Sequence, residues 1–238
     1  MTRRQKIKKI TFSLVFWGIL SISFLFFSSL IVLKANGYQL NWKTWKLSET
    51  GMIVLNGSPA GTIFLDGAAV KKQGYPNKIS NLRAGTYEIK IQSGNFQTWS
   101  KNITVEGGQA SSSEHILLFK TGPTDISPPD NLTADELAAE SKNLATDIKI
   151  VDSEIFYQDH LLTRFSSALL SAVMFPDNQH IVFQQGRQIR AMDLDGSNNK
   201  LLFELISEAP TSLSFRSNGS ILVYLDTTNS TVRAKTIR

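Results

Sequence analysis

The stretch "SPAGTIFLDG", Ser58 to Gly67, decides how the chain is read. Pro59 and Gly61 shape a turn, Thr62 to Leu65 favour an extended strand, and Asp66-Gly67 supplies the positive φ angles of a tight reversal. A phosphate cradle needs several backbone amides in a Gly-rich loop that opens a helix, and this loop opens a strand. The unit is therefore read as a hairpin corner of a β-domain rather than as a ligand loop.

Working outward, Gly51 to Phe119 reads as short strands separated by turns, the pattern of a sandwich or barrel. "GMIVLN", "TIFLDG", "TYEIKIQ", "NITVEGG" and "SEHILLF" supply five strands. In "TYEIKIQ" the alternation points Tyr87, Ile89 and Ile91 inward and Glu88, Lys90 and Gln92 outward. Turns fall at Gly74 to Pro76, around Gly85 and around Gly94.

Taken together these residues resemble the PEGA domain, a small extracellular β-sandwich of bacterial and archaeal surface proteins. The resemblance rests on "SPAG", "FLDG", Pro76 ahead of Ile79, "NLRAGTYEIKI" (Asn81 to Ile91) and "GNFQTW". Two departures concern loop detail: Ala60-Gly61 stands where the family has Gly-Ala, and Tyr75 where Thr precedes the second proline. The resemblance implies a sandwich over residues 51–119 that serves as a wall-proximal or partner-binding spacer. It carries no catalytic residue.

Beyond it, "KTGPTDISPPDNLT" (Lys120 to Thr133) reads as a semi-rigid linker, and linker plus helix take up residues 120–146. Thr133 and Glu136 stand in capping-box spacing, and Leu137 and Leu144 share one face of a short helix from Ala134. From Asp147 to Arg238 the pattern is strands again, in groups of three, four and three. Phe175-Pro176-Asp177-Asn178, Ile181 to Phe183 and Asp193 to Gly196 resemble a TolB-type propeller blade. Phe215, Ser217-Asn218-Gly219 and Ile221 to Tyr224 repeat it about forty residues later. The fold class is thus mainly β: one N-terminal transmembrane helix, a small PEGA-type sandwich, and an incomplete propeller-like domain of two to three blades over 147–238. Too few blades are present to close a ring of about four to eight. Leu161 to Phe165 is expected to pair with Val232 to Ile237, and the helix to cover the opposite edge. Self-association through a blade edge is the alternative.

Before the sandwich lies "ITFSLVFWGILSISFLFFSSLIVL", Ile10 to Leu33, without a charge. As a helix it rises about 36 Å, enough to cross a hydrocarbon core of about 30 Å. No small-x-small site follows it, which favours an uncleaved anchor over a signal peptide. Residues 1–9 form a basic tail on the cytoplasmic side, and residues 34–50 a juxtamembrane segment in which Lys34, Tyr38, Trp42 and Trp45 suit the membrane interface. The later domains then lie outside the cytoplasmic membrane, extracellular or periplasmic.

Composition narrows the chemistry. Of 25 basic residues, Arg3, Arg4, Lys6, Lys8 and Lys9 fall in the first nine positions, and the other 20 balance the 20 acidic residues. No basic stripe remains to follow a nucleic acid. Without cysteine there is no disulfide and no thiol nucleophile. His115, His160 and His180 are scattered, and neither Asp159-His160 nor Asn178-x-His180 makes a zinc motif. "DLDGSNN" resembles a calcium loop, but Gly196 comes at the fourth position and no Glu closes it, so Asp195-Gly196 is read as a hairpin turn. No G-x-S-x-G occurs. The expectation is a non-catalytic envelope protein without cofactor or metal, presenting β-domains to an envelope protein or cell-wall polysaccharide. An envelope enzyme or accessory acting on glycan or peptide is the alternative. A surface sensor subunit is the third, although the short basic tail leaves no room for a signalling output without a partner.

Overall fold

The computed structural model describes residues 3–35, 37–41, 46–70 and 76–238. Trp42, Trp45, Gly74 and Tyr75 lie outside the described residues. The chain is mainly β, with one long apolar helix and several small antiparallel sheets. Contacts divide it into two units: Met1–Val54 with Lys78–Thr86 and Ile103–Ser112, and Leu55–Asn77 with Tyr87–Asn102 and Ser113–Arg238.

The first unit begins with α1 (Arg3–Ala35), a helix that runs through the basic residues as well as the apolar ones. Within it Val15–Ala35 has mean hydropathy 2.2, none of it buried, so the helix is long and apolar enough to cross a membrane. Gly37, at φ +82°, ends the helix by donating its N–H to the Lys34 carbonyl at 3.1 Å. Past Gly37, β1 (Tyr38–Asn41) pairs antiparallel with β2 (Lys46–Ser58), Tyr38 opposite Glu49. Thr50 secures the join. Its N–H and Oγ1 both donate to the Gly37 carbonyl, at 2.7 and 2.5 Å. The Tyr38 hydroxyl donates to Glu49 Oε1 at 2.8 Å, so this aromatic residue is tied to the hairpin. Lys34 is exposed in the last helical turn. Ile53, Ile79, Ile103 and Val105 supply the buried apolar residues of this unit.

Eight strands span Tyr38 to Leu117. One sheet has the order β1-β2-β5, with β5 at Asn77–Arg83 and β8 (Ala110–Leu117) also on β2. The other has the order β4-β3-β6-β7, where β3 is Thr62–Leu65, β4 Ala68–Val70, β6 Gly85–Gln92 and β7 Trp99–Val105. The opening stretch folds as read: Asp66 (φ +47°) and Gly67 (φ +80°) turn β3 into β4. Asp66 also closes a two-way clasp with Glu88, donating its N–H and accepting the Glu88 N–H on Oδ1. Ile89 and Ile91 are fully buried while Gln92 is exposed, as the alternation requires.

The rest of the second unit is three antiparallel meanders. The first is β10-β11-β12 (Ile148–Val151, Glu154–Tyr157, His160–Arg164) and the second β13-β14-β15-β16 (Leu169–Met174, His180–Gln185, Gln188–Asp193, Lys200–Glu204). The third is β17-β18-β19 (Leu213–Arg216, Ile221–Asp226, Thr231–Thr236) plus one strand from far upstream. Three, four and three strands are the grouping read from the sequence. That upstream strand is β9 (Thr124–Ile126), which pairs antiparallel with β19. The expected linker therefore contains a strand, and β9 holds the edge expected for Leu161 to Phe165. The physical reason is local: Gln158 and Asp159, both at positive φ, turn β11 straight into β12, so Leu161 pairs with Phe156. No closed ring forms among the described residues.

Core clusters separate the layers. Ile155, Leu169, Ile181 and Phe183 fill the space between the first and second meanders. Val182, Ile189, Phe175, Leu213, Leu222 and Ile237 fill that between the second and third, joined by Leu117 and Phe119. The far face of the third is covered by α2 (Ala134–Leu144), whose fully buried Leu137 packs with Val223 and Ala234. Both halves of the Thr133–Glu136 capping box form. The helix covers a face and also the open edge of β17: Ser141 Oγ accepts from the Leu213 N–H at 3.1 Å. Arg216 locks it with two 3.0 Å bonds from Nη1 and Nη2 to Glu140, and a further bond to Asp130.

Candidate functional site

The turn predicted at Pro176 and Asp177 builds a buried charged cluster around His180. After β13, the Phe175 N–H donates to the His180 carbonyl at 2.9 Å, and Asn178 takes φ +56°. Asp177 Oδ1 accepts the Gln179 N–H, which leaves Oδ2 for His180 Nδ1 at 2.7 Å. The other ring nitrogen, Nε2, lies 3.4 Å from Asp193 Oδ1 on the neighbouring strand β15. His180 is 2 % exposed. Burial pushes its pKa down, but the hydrogen bonds and charges of the two carboxylates outweigh it and raise it to about 9. For Asp177, burial pushes upward, and the bond and charge of His180 bring the carboxyl below its ordinary value.

Around this triad the predicted Asp195-Gly196 turn folds back on itself. Ser197 donates its N–H and Oγ to Asp195 Oδ1, and Gly196 takes φ +81°. Asp193 Oδ2 accepts from Trp99 Nε1 at 3.3 Å, Ser197 Oγ at 3.2 Å and Asn198 Nδ2 at 2.9 Å. Strand β7 is thereby fastened to the turn. Lys101 pairs with Asp195 at 2.5 Å, the Ser100 N–H donates to Asn198 Oδ1 at 2.9 Å, and Gln97 Nε2 reaches the Leu201 carbonyl at 2.6 Å. Burial pushes the Asp195 carboxyl up, but Lys101 and Ser197 pull it further down, so it sits below its ordinary range. A polar cleft of about 130 Å³ opens beside these groups, lined by Trp99, Lys101, His115, Gln179 and His180 among others.

Sequence spacing concealed most of this. His115 and His180, read as scattered, line one cleft, while His160 opens β12. Trp99 and Asp193 are 94 residues apart and carry no shared motif. Asp177, Asp195, Pro176 and Gly196 form turns as the sequence predicts, and the two acids hold charges as well. Among the other predicted turn residues, Pro59 follows Ser58 through a cis peptide, Ser93 Oγ donates to the Ala60 carbonyl beside Gly61, Pro76 precedes β5, Gly85 opens β6 and Gly94 turns out of it. Gly219 does more than turn. A Cβ there would fall 2.1 Å from Phe175 Cζ, so the repeat of the third meander packs directly on the aromatic ring of the second. Phe175 and Phe215 meet edge to face, with centroids 5.0 Å apart and planes at 70°.

Chemically, both nitrogens of a charged His180 are occupied as donors, so the ring offers no lone pair to a proton or a metal near neutral pH. No three His, Asp or Glu side chains among the described residues stand in a metal-binding arrangement. What the geometry performs is attachment of β7 to the second meander.

Residues 50–116 match the PEGA domain family. The match ends before α2 and the three meanders. A search of curated proteins finds no match to the chain.

Proposed function

We propose that the chain is a membrane-anchored, non-catalytic envelope protein that presents its β-domains outside the cytoplasmic membrane for contact with an envelope protein or cell-wall glycan. The observation that carries this reading is α1. It leaves large apolar side chains bare to solvent (Trp17 is 61 % exposed and Phe24 71 %) and runs through the Gly37 cap directly into the β1–β2 hairpin. A lipid surround removes that exposure, since every backbone group inside the helix is already satisfied. The basic residues ahead of the span orient the N-terminus inward. The match at 50–116 supports a surface or binding role. The three meanders read as an open sector of propeller blades, with β9 as the closing strand and α2 as its cap. In this reading His180 is a structural group: held charged between two carboxylates, it is a poor general base at neutral pH.

Protease added to intact cells should remove a tag placed after Arg238 and spare one placed before Arg3. Protection of the C-terminal tag would overturn the orientation. Purified protein should turn over none of a panel of glycosidase and peptidase substrates. Hydrolysis lost on Asp177→Asn would overturn the non-catalytic reading and favour the envelope enzyme.

A further inference from the structure

A second cleft, of about 190 Å³, opens between the outer strand β16 of the second meander and strands β9 and β19 of the third. Tyr224 lines it. This residue is only 6 % exposed, and its hydroxyl is not among the buried unpartnered polar atoms, so what exposure remains leaves it open to water at the cleft. A ligand hydroxyl can take the place of that water and receive the same hydrogen bond from the phenol. Its ring is fixed against Phe203, centroids 5.2 Å apart, so the hydroxyl cannot swing elsewhere. Burial first, then the Asp125 charge, raises the phenol pKa, and it stays a donor.

The charges around it decide what fits. Arg233 is paired with Asp226 at 2.8 Å and Lys235 with Asp125 at 2.7 Å. With each cation neutralised, a simple anion finds no spare counter-charge, and a cation finds only Glu204, which accepts from Gln188. A neutral polyol suits interleaved donors and acceptors, because each of its hydroxyls gives one hydrogen bond and receives others. An apolar lip is present too: Ile206, 68 % exposed, borders the cleft and can meet the C–H face of a ring. The volume is below the ~300–1,000 Å³ of sites for drug-sized ligands. It holds one ring, not a chain.

We propose that this rim cleft is a saccharide site that takes one ring of a neutral oligosaccharide, with the Tyr224 hydroxyl donating to a ring substituent and Glu204 accepting from another. This deepens the display reading by naming the ligand class, and rests on that reading only for where the glycan is met. The test uses the full chain in a zwitterionic detergent without sugar headgroups, titrated calorimetrically with chitotriose, maltotriose and mannotriose, and in separate arms with trilysine and inorganic phosphate. At least one trisaccharide should bind, and Tyr224→Phe should weaken it about fivefold to tenfold, the size of one hydrogen bond, without shifting the thermal midpoint. Binding of none of the three sugars, binding indifferent to Tyr224→Phe, or preference for trilysine or phosphate would each overturn the site. Because the titration is independent of topology, its failure leaves the anchored reading standing, and a failed protease test leaves the site standing.

Discussion

Raising the pH from 5.5 to 9 should destabilise the folded chain by about 3 kcal/mol through His180 alone. The ring is 2 % exposed and its pKa rises from 6.5 to about 9 on folding. A group whose folded pKa is raised contributes its full stabilisation below the unfolded pKa and loses it as the pH climbs through the folded one. A displacement of about 2.5 units at ~1.36 kcal/mol each gives about 3 kcal/mol at pH 5.5, about 2 kcal/mol at pH 7.5, and less than about 0.5 kcal/mol at pH 9. Asp177 acts oppositely. Its depressed carboxyl contributes above pH 3.8, and that contribution disappears as acid protonates it, so the pair together favours a window of roughly pH 4 to 6.5. Urea unfolding of the full chain in micelles, followed by far-UV circular dichroism across this range, reads the slope. His180→Gln should remove most of it, and Asp177→Asn should reduce it if the first variant fails to fold. A wild-type slope retained in both variants would refute the ion-pair account.

Other perturbations test other layers. Gly219→Ala should cost about 2–4 kcal/mol, since it opposes φ +81° and drives a methyl into the Phe175 ring; a loss under about 1 kcal/mol by urea midpoint would contradict that packing. Gly67→Val, where a Cβ meets nothing within 4 Å, should cost only the backbone penalty, about 1–3 kcal/mol, measured the same way. Leu137→Ala should cost about 2–5 kcal/mol and expose β18 and β19 to dimerisation, visible by light scattering. Arg216→Met should cost about 1 kcal/mol at pH 7, because Glu140 is 38 % exposed and its ion pair is partly screened. The bond and charge of Arg216 hold the Glu140 pKa below 4.5, so that loss should fade as the pH falls through the depressed value.

Local chemistry made much of this fold legible. Asp66-Gly67 can hardly be anything but a tight reversal, Thr133 and Glu136 satisfy each other within one turn, and Asn178 tolerates φ +56° in a glycine's place. The ten strands after Asp147 followed because each is bounded by its own turn residues. What escaped notice depends on distant partners or on very short elements. β9 has three residues between Pro123 and Pro128, a setting that reads as linker until β19 supplies its ladder. β1, β4 and β5 hid similarly, the first beside the helix end and the last around Asn81 at φ +63°. For the cleft, composition offered the turn acids but not their partners: Trp99, Lys101 and Asn198 are ordinary polar or aromatic positions until the fold brings them to Asp193 and Asp195.

The pairing of β9 with β19 also sets a clock. Thr124 and Thr236 meet across 112 residues of chain. At synthesis rates of ~5–20 residues per second, β9 waits roughly 6–20 s for the strand that completes it. During that interval it is a nascent strand with both sides open, able to recruit the wrong neighbour. Pro123 before it and Pro128-Pro129 after it cannot donate to any ladder, so a mistaken pairing cannot extend beyond a few residues in either direction. The same prolines that make the segment look like a linker keep it short enough to be released and claimed by β19 when that strand emerges.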